Sequence, residues 1–229
     1  MRRTEDTGEH QAAPGSAGTT GPTLRDEPDP RPVAARRRVH EGIIFDLVRD
    51  TVDFADGVRF DREYVRHTGA VAVLAVDDAD RVLMIRQYRH PVGHALWEIP
   101  AGLLDLDGEA PHVAAARELS EETGYEPTAL RTLVDLRPSP GGNDEVIRVY
   151  LATGVRPGQD EYERTDEEAE LVTRWVPLVD AVSAVLEGRI TNATTVSALL
   201  TLQVLRDRGH DADALRPADA PFMERPGRD

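Results

Sequence analysis

Cysteine is absent from the 229 residues, which excludes disulfides and thiol catalysis together. Lysine is absent too: all 27 basic residues are arginine, a bias of genomic composition before it is a functional signal. No apolar run approaches the length of a membrane span, and the polar N-terminus lacks the apolar core of a secretory signal, so cytoplasmic residence is the expectation. Positive charge is scarce, with 42 acidic residues giving a formal net charge of -15. A nucleic-acid footprint is normally a basic patch and is therefore not expected. The same charge repels phosphates at long range, so a phosphate-bearing substrate would need local arginines and divalent cations. No Ser-His-Asp arrangement stands out.

What is present divides the chain into three parts. Residues 1–37 are rich in Pro, Gly, Thr and charge and poor in large apolar residues, the composition of a disordered extension. Residues 209–229 read as a similarly loose tail. Between them, 38–208 is long enough for one sizeable domain. Strand-favouring segments fall at 43–50, 57–65, 70–76, 81–88, 130–136, 146–152 and 172–176, and amphipathic helical patterns at 178–187 and 192–207. Mixed strands with a few helices predict an α+β sandwich.

The segment 102–125, GLLDLDGEAPHVAAARELSEETGY, carries the chemistry. Pro111 suits a first helical turn, the run Ala114, Ala115, Ala116 propagates it, and Gly124 can end it in the left-handed conformation. Glu118, Glu121 and Glu122 then stand at i, i+3 and i+4 on one face. Like charges so spaced cost an isolated helix about 0.2 to 0.5 kcal/mol per pair, and Arg117 neutralises only part. Hard divalent ions such as Mg2+ or Mn2+ take oxygen ligands and are held by carboxylates together with substrate phosphates. Glu118 and Glu122 are the first ligands this reading selects, with Glu121 third. A solvated acidic helix is the plainer alternative; the flanking glycines and Arg117 favour the metal. His112 lies away from the glutamate face and reads as a surface residue.

Glu109, seven residues, then Arg117-Glu118-Leu119-Ser120-Glu121-Glu122-Thr123-Gly124-Tyr125 resembles the Nudix box. In one departure, six residues rather than five separate Gly102 from Glu109. The resemblance implies a Nudix-type α/β/α sandwich with a mixed β-sheet, divalent metal, and no protein nucleophile. Features outside the box resemble the ADP-ribose diphosphatase branch, which hydrolyses ADP-ribose to AMP and ribose 5-phosphate. Within 98–102, Ala101 corresponds to an alanine whose carbonyl helps hold a metal. Pro140, sixteen residues beyond Gly124, matches a spacing associated with ADP-ribose specificity, although a turn after a strand accounts for it equally simply.

The same resemblance assigns Arg89 to the substrate diphosphate, which a guanidinium fork suits. It puts Glu98, Ser139 and Glu145 in the substrate site. It assigns Arg62 and Glu63 to adenosine, reached across a homodimer whose N-terminal strands exchange between subunits; an ordinary exposed ion pair is the alternative. On the acidic loop 166–170 it implies Glu168 as general base, with Glu167 the neighbouring choice of register, and Glu170 as an extra metal contact. Two other functions remain open, hydrolysis of another nucleoside diphosphate sugar and a non-catalytic ADP-ribose sensor. A sensor would be expected to lose box glutamates or gain a basic helix pair.

Overall fold

Strand β4 (Ala70–Ala75) is buried at every position. Because successive side chains of a strand point to opposite faces, such a strand has to be covered on both sides. On one side Ala72 and Leu74 pack with Leu178 of helix α2 (Leu178–Leu186) and Leu199 and Leu202 of helix α3 (Ala193–Asp207). On the other, Val71, Val73 and Ala75 pack with Ala114, Ala115 and Leu119 of helix α1 (Pro111–Thr123). The computed structural model, which describes residues 24–158 and 170–222, is thus an α/β/α sandwich, as expected.

The central sheet runs β13 (Arg216–Pro217), β9 (Ala129–Leu136), β10 (Ile147–Thr153), β4, β7 (Ala101–Leu103). It is mixed, since β10 is parallel to β4 while the other pairs are antiparallel. A second, antiparallel sheet orders β12 (Val172–Pro177), β5 (Arg81–Arg89) and β6 (His94–Glu98). Short strands β8 (Tyr125–Glu126) and β11 (Arg156–Pro157) pair behind the box helix. Among the described residues no helix is long and apolar enough to cross a membrane.

Two boundaries differ from expectation. A three-stranded N-terminal sheet comprises β1 (Val33–Glu41), β2 (Asp46–Ala55) and β3 (Val58–Arg66), so the limit expected at residue 37 falls inside a strand. β1 is exposed throughout and lacks a strand-like apolar pattern. Cross-strand charge helps hold it, as Arg36 donates twice to the buried Asp50 of β2, at 2.8 and 2.9 Å. Ile43, Ile44 and Phe45, expected to start a strand, form the exposed connection between β1 and β2 instead.

The C-terminal segment to residue 222 is docked rather than loose. Arg148, 1 % exposed, donates to Asp135 (2.7 and 3.0 Å) and to the carbonyls of Ala220 and Pro221 (2.6 and 2.8 Å). Its guanidinium stacks 4.6 Å from the Phe222 ring centroid. Short β13 pairs with β9 on the same edge.

Candidate active site

Helix α1 forms as its sequence dictates. Pro111 occupies the first turn, and Gly124 ends the helix at φ 72° with its N–H bonded to the Ser120 carbonyl, a conformation that costs glycine nothing. Leu119 is fully buried, which turns the neighbouring glutamates toward β7. The Ala101 N–H donates to Glu122 Oε2 at 3.0 Å, and Glu122 is only 4 % exposed.

Glu118 lies against Gly102, and the contact needs glycine. A Cβ at residue 102 would stand 1.9 Å from the Glu118 Cδ. Arg117 is the cation of the cluster: Nη1 lies 2.9 Å from Glu118 and 2.8 Å from Glu121, while Nε and Nη2 each bond Glu109 at 3.0 Å. The Glu109 fork ties the incoming loop to the helix and lowers the Glu109 pKa. Burial pushes the Glu118 carboxyl above its usual range, against the opposing pull of Arg117.

Arg117, Glu118, Glu121 and Glu122 line a cleft of about 430 Å³ together with Ala101, Asp105, Gln87 and Arg89. Arg89 reaches back across the sheet to Glu98, 3 % exposed, with Nη2 at 2.7 Å from Oε2. Among the described residues no three His, Cys, Asp or Glu stand arranged to hold a metal ion, and the Arg117 guanidinium occupies both Glu118 and Glu121. Three observations nevertheless fit a hard divalent cation. The donors are carboxylate oxygens, Gly102 leaves room at Glu118, and burial has made the negative charge there costly enough to favour a compensating ion.

The sequence-predicted residues divide between two places. Ala101, Glu118, Glu121, Glu122 and Arg89 line the cleft, and Glu98 touches it through Arg89. Arg62 and Pro140 line a separate cavity of about 500 Å³ with Asp50, Tyr64 and Asp144. It forms where the β3 end meets the loop after β9, held by the Val65 N–H on the Gly142 carbonyl (2.9 Å) and the His67 N–H on Asp144 (2.7 Å). Glu63 does not share the cavity with Arg62. Adjacent strand residues face opposite ways, and Glu63 pairs with Arg49.

Ser139 is exposed and closes the turn, its carbonyl accepting from the Gly142 and Asn143 N–H groups at 3.0 Å. Glu145 stands 3.7 Å from His67 Nδ1. Glu170 is exposed and does not line the cleft; Glu167 and Glu168 lie outside the described residues.

Sequence reasoning passed over Gln87 and Asp105. The signal for Gln87 was the alternation of β5: Val82 and Met84 belong to the core under α2 and α3, Leu83 to the core under α1, and Gln87 continues the α1 face into the cleft.

The NUDIX domain family model matches residues 65–199, spanning the second sheet, the box, α2 and the first part of α3. An ADP-ribose pyrophosphatase of Mycobacterium tuberculosis (strain ATCC 25618 / H37Rv) is 43% identical over 189 residues, 82% of this chain and 89% of the relative. A methanol dehydrogenase activator of Bacillus methanolicus is 39% identical over 172 residues, 73% of this chain and 89% of that protein. A crystal structure of an ADP compounds hydrolase superposes with TM-score 0.66 at 25% identity, covering 82% of this chain and 100% of the other. With its glutamates gathered against β7 and the matched region covering more than half its length, the chain belongs to the Nudix family of hydrolases.

Proposed function

We propose that the chain hydrolyses the diphosphate of ADP-ribose, with water, to AMP and ribose 5-phosphate. The observation carrying this reading is the intact cluster Glu118, Glu121, Glu122 beside Arg89 in one cleft, in a chain so similar to the mycobacterial ADP-ribose pyrophosphatase. Glu118 and Glu122 would hold Mg2+ or Mn2+, with Glu121 and the Ala101 carbonyl as further ligands. A bound divalent ion supplies charge neutralisation at the phosphoryl oxygens and acidifies water.

Arg89, held in place by Glu98, orients the diphosphate by its guanidinium fork. Glu168 accepts the proton of the attacking water. The water oxygen forms a new bond to one phosphorus while the bond from that phosphorus to the bridging oxygen breaks, and the bridging oxygen leaves on the other phosphate, so that each product carries one phosphate. Arg62, Pro140 and their cavity, with Ser139 and Glu145 nearby, take the adenosine side, and Glu63 serves by fixing Arg49 on the same sheet.

The N-terminal sheet supports a homodimer with exchanged strands. Its connection exposes Ile43, Ile44 and Phe45, and its far end exposes Phe54 and Val58. Apolar groups so placed mark an interaction surface. The name of the Bacillus methanolicus relative suggests a regulatory reading in which the chain acts on a partner enzyme. Retention of all three box glutamates favours hydrolysis over a purely binding role.

Purified full-length protein assayed on ADP-ribose, other nucleotide sugars and dinucleotides, with Mg2+ and Mn2+, tests the proposal. AMP and ribose 5-phosphate should appear in equal amounts, and chelation should stop the reaction. A tenfold higher kcat/KM on another nucleotide sugar would reassign the substrate, and full turnover in chelator would remove the metal.

A further inference from the structure

Gln87 is 8 % exposed, and its side-chain oxygen Oε1 is the one buried side-chain polar atom among the described residues with no hydrogen-bond partner. Leaving such a group unsatisfied is costly and needs a reason. The side chain borders the candidate active-site cleft. Along β5 the side chains on the α1 face run Leu83, Ile85, Gln87, Arg89; the first two are buried hydrocarbon, and the last two line the cleft with Glu118 and Glu122. A leucine or methionine would continue the strand at no cost in unpaired groups, so the carboxamide is explained by something that enters the cleft.

The chemistry of the orphan narrows what that is. Oε1 only accepts hydrogen bonds. The oxygens of an ionised diphosphate are acceptors too and give it nothing, while the arginines beside it, Arg89 and Arg117, are the groups suited to phosphate. A diphosphate bound with divalent ions brings two kinds of donor near its phosphates, ion-bound water and the hydroxyls of an attached sugar, and only the sugar hydroxyls differ from one diphosphate to another. We infer that Gln87 is a specificity residue whose side-chain oxygen accepts a hydrogen bond from a hydroxyl of the sugar joined to the diphosphate. The inference rests on the proposed cleft for a nucleoside diphosphate sugar and adds what selects the sugar. It also gives the site a way to reject a diphosphate without one, since that compound would bury the cleft and leave Oε1 unpaired.

The test compares wild type with Gln87→Met, which keeps the length and removes the acceptor, and Gln87→Leu as a second variant. Substrates are ADP-ribose and the methyl ester of ADP, which keeps adenosine and both phosphates and has no hydroxyl beyond them. Loss of one neutral hydrogen bond should lower kcat/KM for ADP-ribose roughly 10-fold, mostly through KM, and alter the methyl ester less than about twofold. The melting temperature should hold or rise, because an unpaired buried acceptor has been replaced by hydrocarbon; a structural glutamine would give a fall. Equal losses on both substrates, or none on either, overturn the assignment.

Calorimetry with Mg2+ and the α,β-methylene analogue of ADP-ribose, whose P–C–P bridge resists hydrolysis, separates this inference from the proposed activity, with α,β-methylene ADP as the sugar-free control. A wild type that hydrolyses neither substrate yet binds the analogue, and loses about 10-fold in affinity for it alone on Gln87→Met, would refute the activity and keep the Gln87 assignment. A wild type that binds neither compound refutes both.

Discussion

Gly102→Ala tests the cleft with the least change to the protein. The new Cβ would meet the Glu118 Cδ at 1.9 Å, Oε1 at 2.2 Å and Cγ at 2.4 Å. Recovering an ordinary contact of 3.4 Å moves the carboxylate by roughly 1.5 Å. That movement is cheap for the fold, because the obstructing atoms are the far end of a flexible side chain. The 2.9 Å pair with Arg117 is disturbed, at about 1 kcal/mol for a half-buried charged pair, while the lost freedom of the unfolded chain returns about 0.4 to 1 kcal/mol. Stability should therefore change by less than about 1 kcal/mol, whereas an ångström-scale misplacement in a reacting site costs on the order of 100-fold in rate.

The assay is kcat and KM on ADP-ribose over a Mg2+ series, with urea melts of the same preparations. Glu118→Gln and the double variant complete a cycle: if the alanine acts only by displacing Glu118, the double variant should be no slower than Glu118→Gln alone. Wild-type turnover by Gly102→Ala at limiting Mg2+ would refute the placement of Glu118 in the reacting site. A loss of several kcal/mol in the melts would show the glycine to be structural.

Glu168→Gln should lower kcat by roughly 100-fold or more with little change in KM, the mark of a lost proton acceptor, while Glu167→Gln stays near wild type; the reverse pattern in steady-state rates shifts the register of that loop by one residue. Deleting residues 1–31 should leave activity and oligomeric state unchanged by sedimentation and rate assay, whereas deletion through residue 41 removes β1 with the Arg36 partner of Asp50 and should lower the melting temperature; equal behaviour of the two truncations would show β1 to be dispensable. Burial alone would raise the Asp135 carboxyl, but bonds from Arg148 and Arg216 hold it below the usual range. Its contribution is therefore complete above the ordinary aspartate value and is lost as pH falls from there through the lower folded value. The gap in urea midpoint between wild type and Asp135→Asn should close over that acid interval, and a gap independent of pH would remove the ion pair as its cause.

The sequence revealed what is local and hid what depends on a distant partner. Helix α1 was legible because proline, alanine and glycine act within their own turn, and the i, i+3, i+4 spacing put the glutamates on one face before any tertiary contact was known. β1 was hidden because its partners are acidic residues of β2; nothing between Val33 and Glu41 announces that Arg36 has a buried carboxylate waiting. The C-terminal segment was hidden for a related reason. Arg148 binds the carbonyls of Ala220 and Pro221, and composition says nothing about main-chain acceptors. Arg62 and Glu63 read as a unit because they are adjacent, and adjacency is what separates them in a strand. Gln87 stood in view between Arg86 and Tyr88, but its face is fixed only once Leu83 is seen against α1.

Charge inside the cleft bears on how a diphosphate could be held there. Its arginines are already matched: Arg89 to Glu98, and Arg117 to Glu109, Glu118 and Glu121. The lining carries four carboxylates, Asp105, Glu118, Glu121 and Glu122, against these two arginines, and is negative within a chain of net charge -15. Among the described residues of the cleft, a bare diphosphate meets a negative lining and no unmatched guanidinium. On the proposed reading, substrate and divalent ions must therefore bind together. A divalent ion held by Glu118 would compete with Arg117 for that carboxylate, leaving more of the guanidinium for the phosphates. Metal depletion should then raise the apparent KM for ADP-ribose as well as lower kcat, and a kcat effect alone would mean that the arginines suffice to hold the substrate.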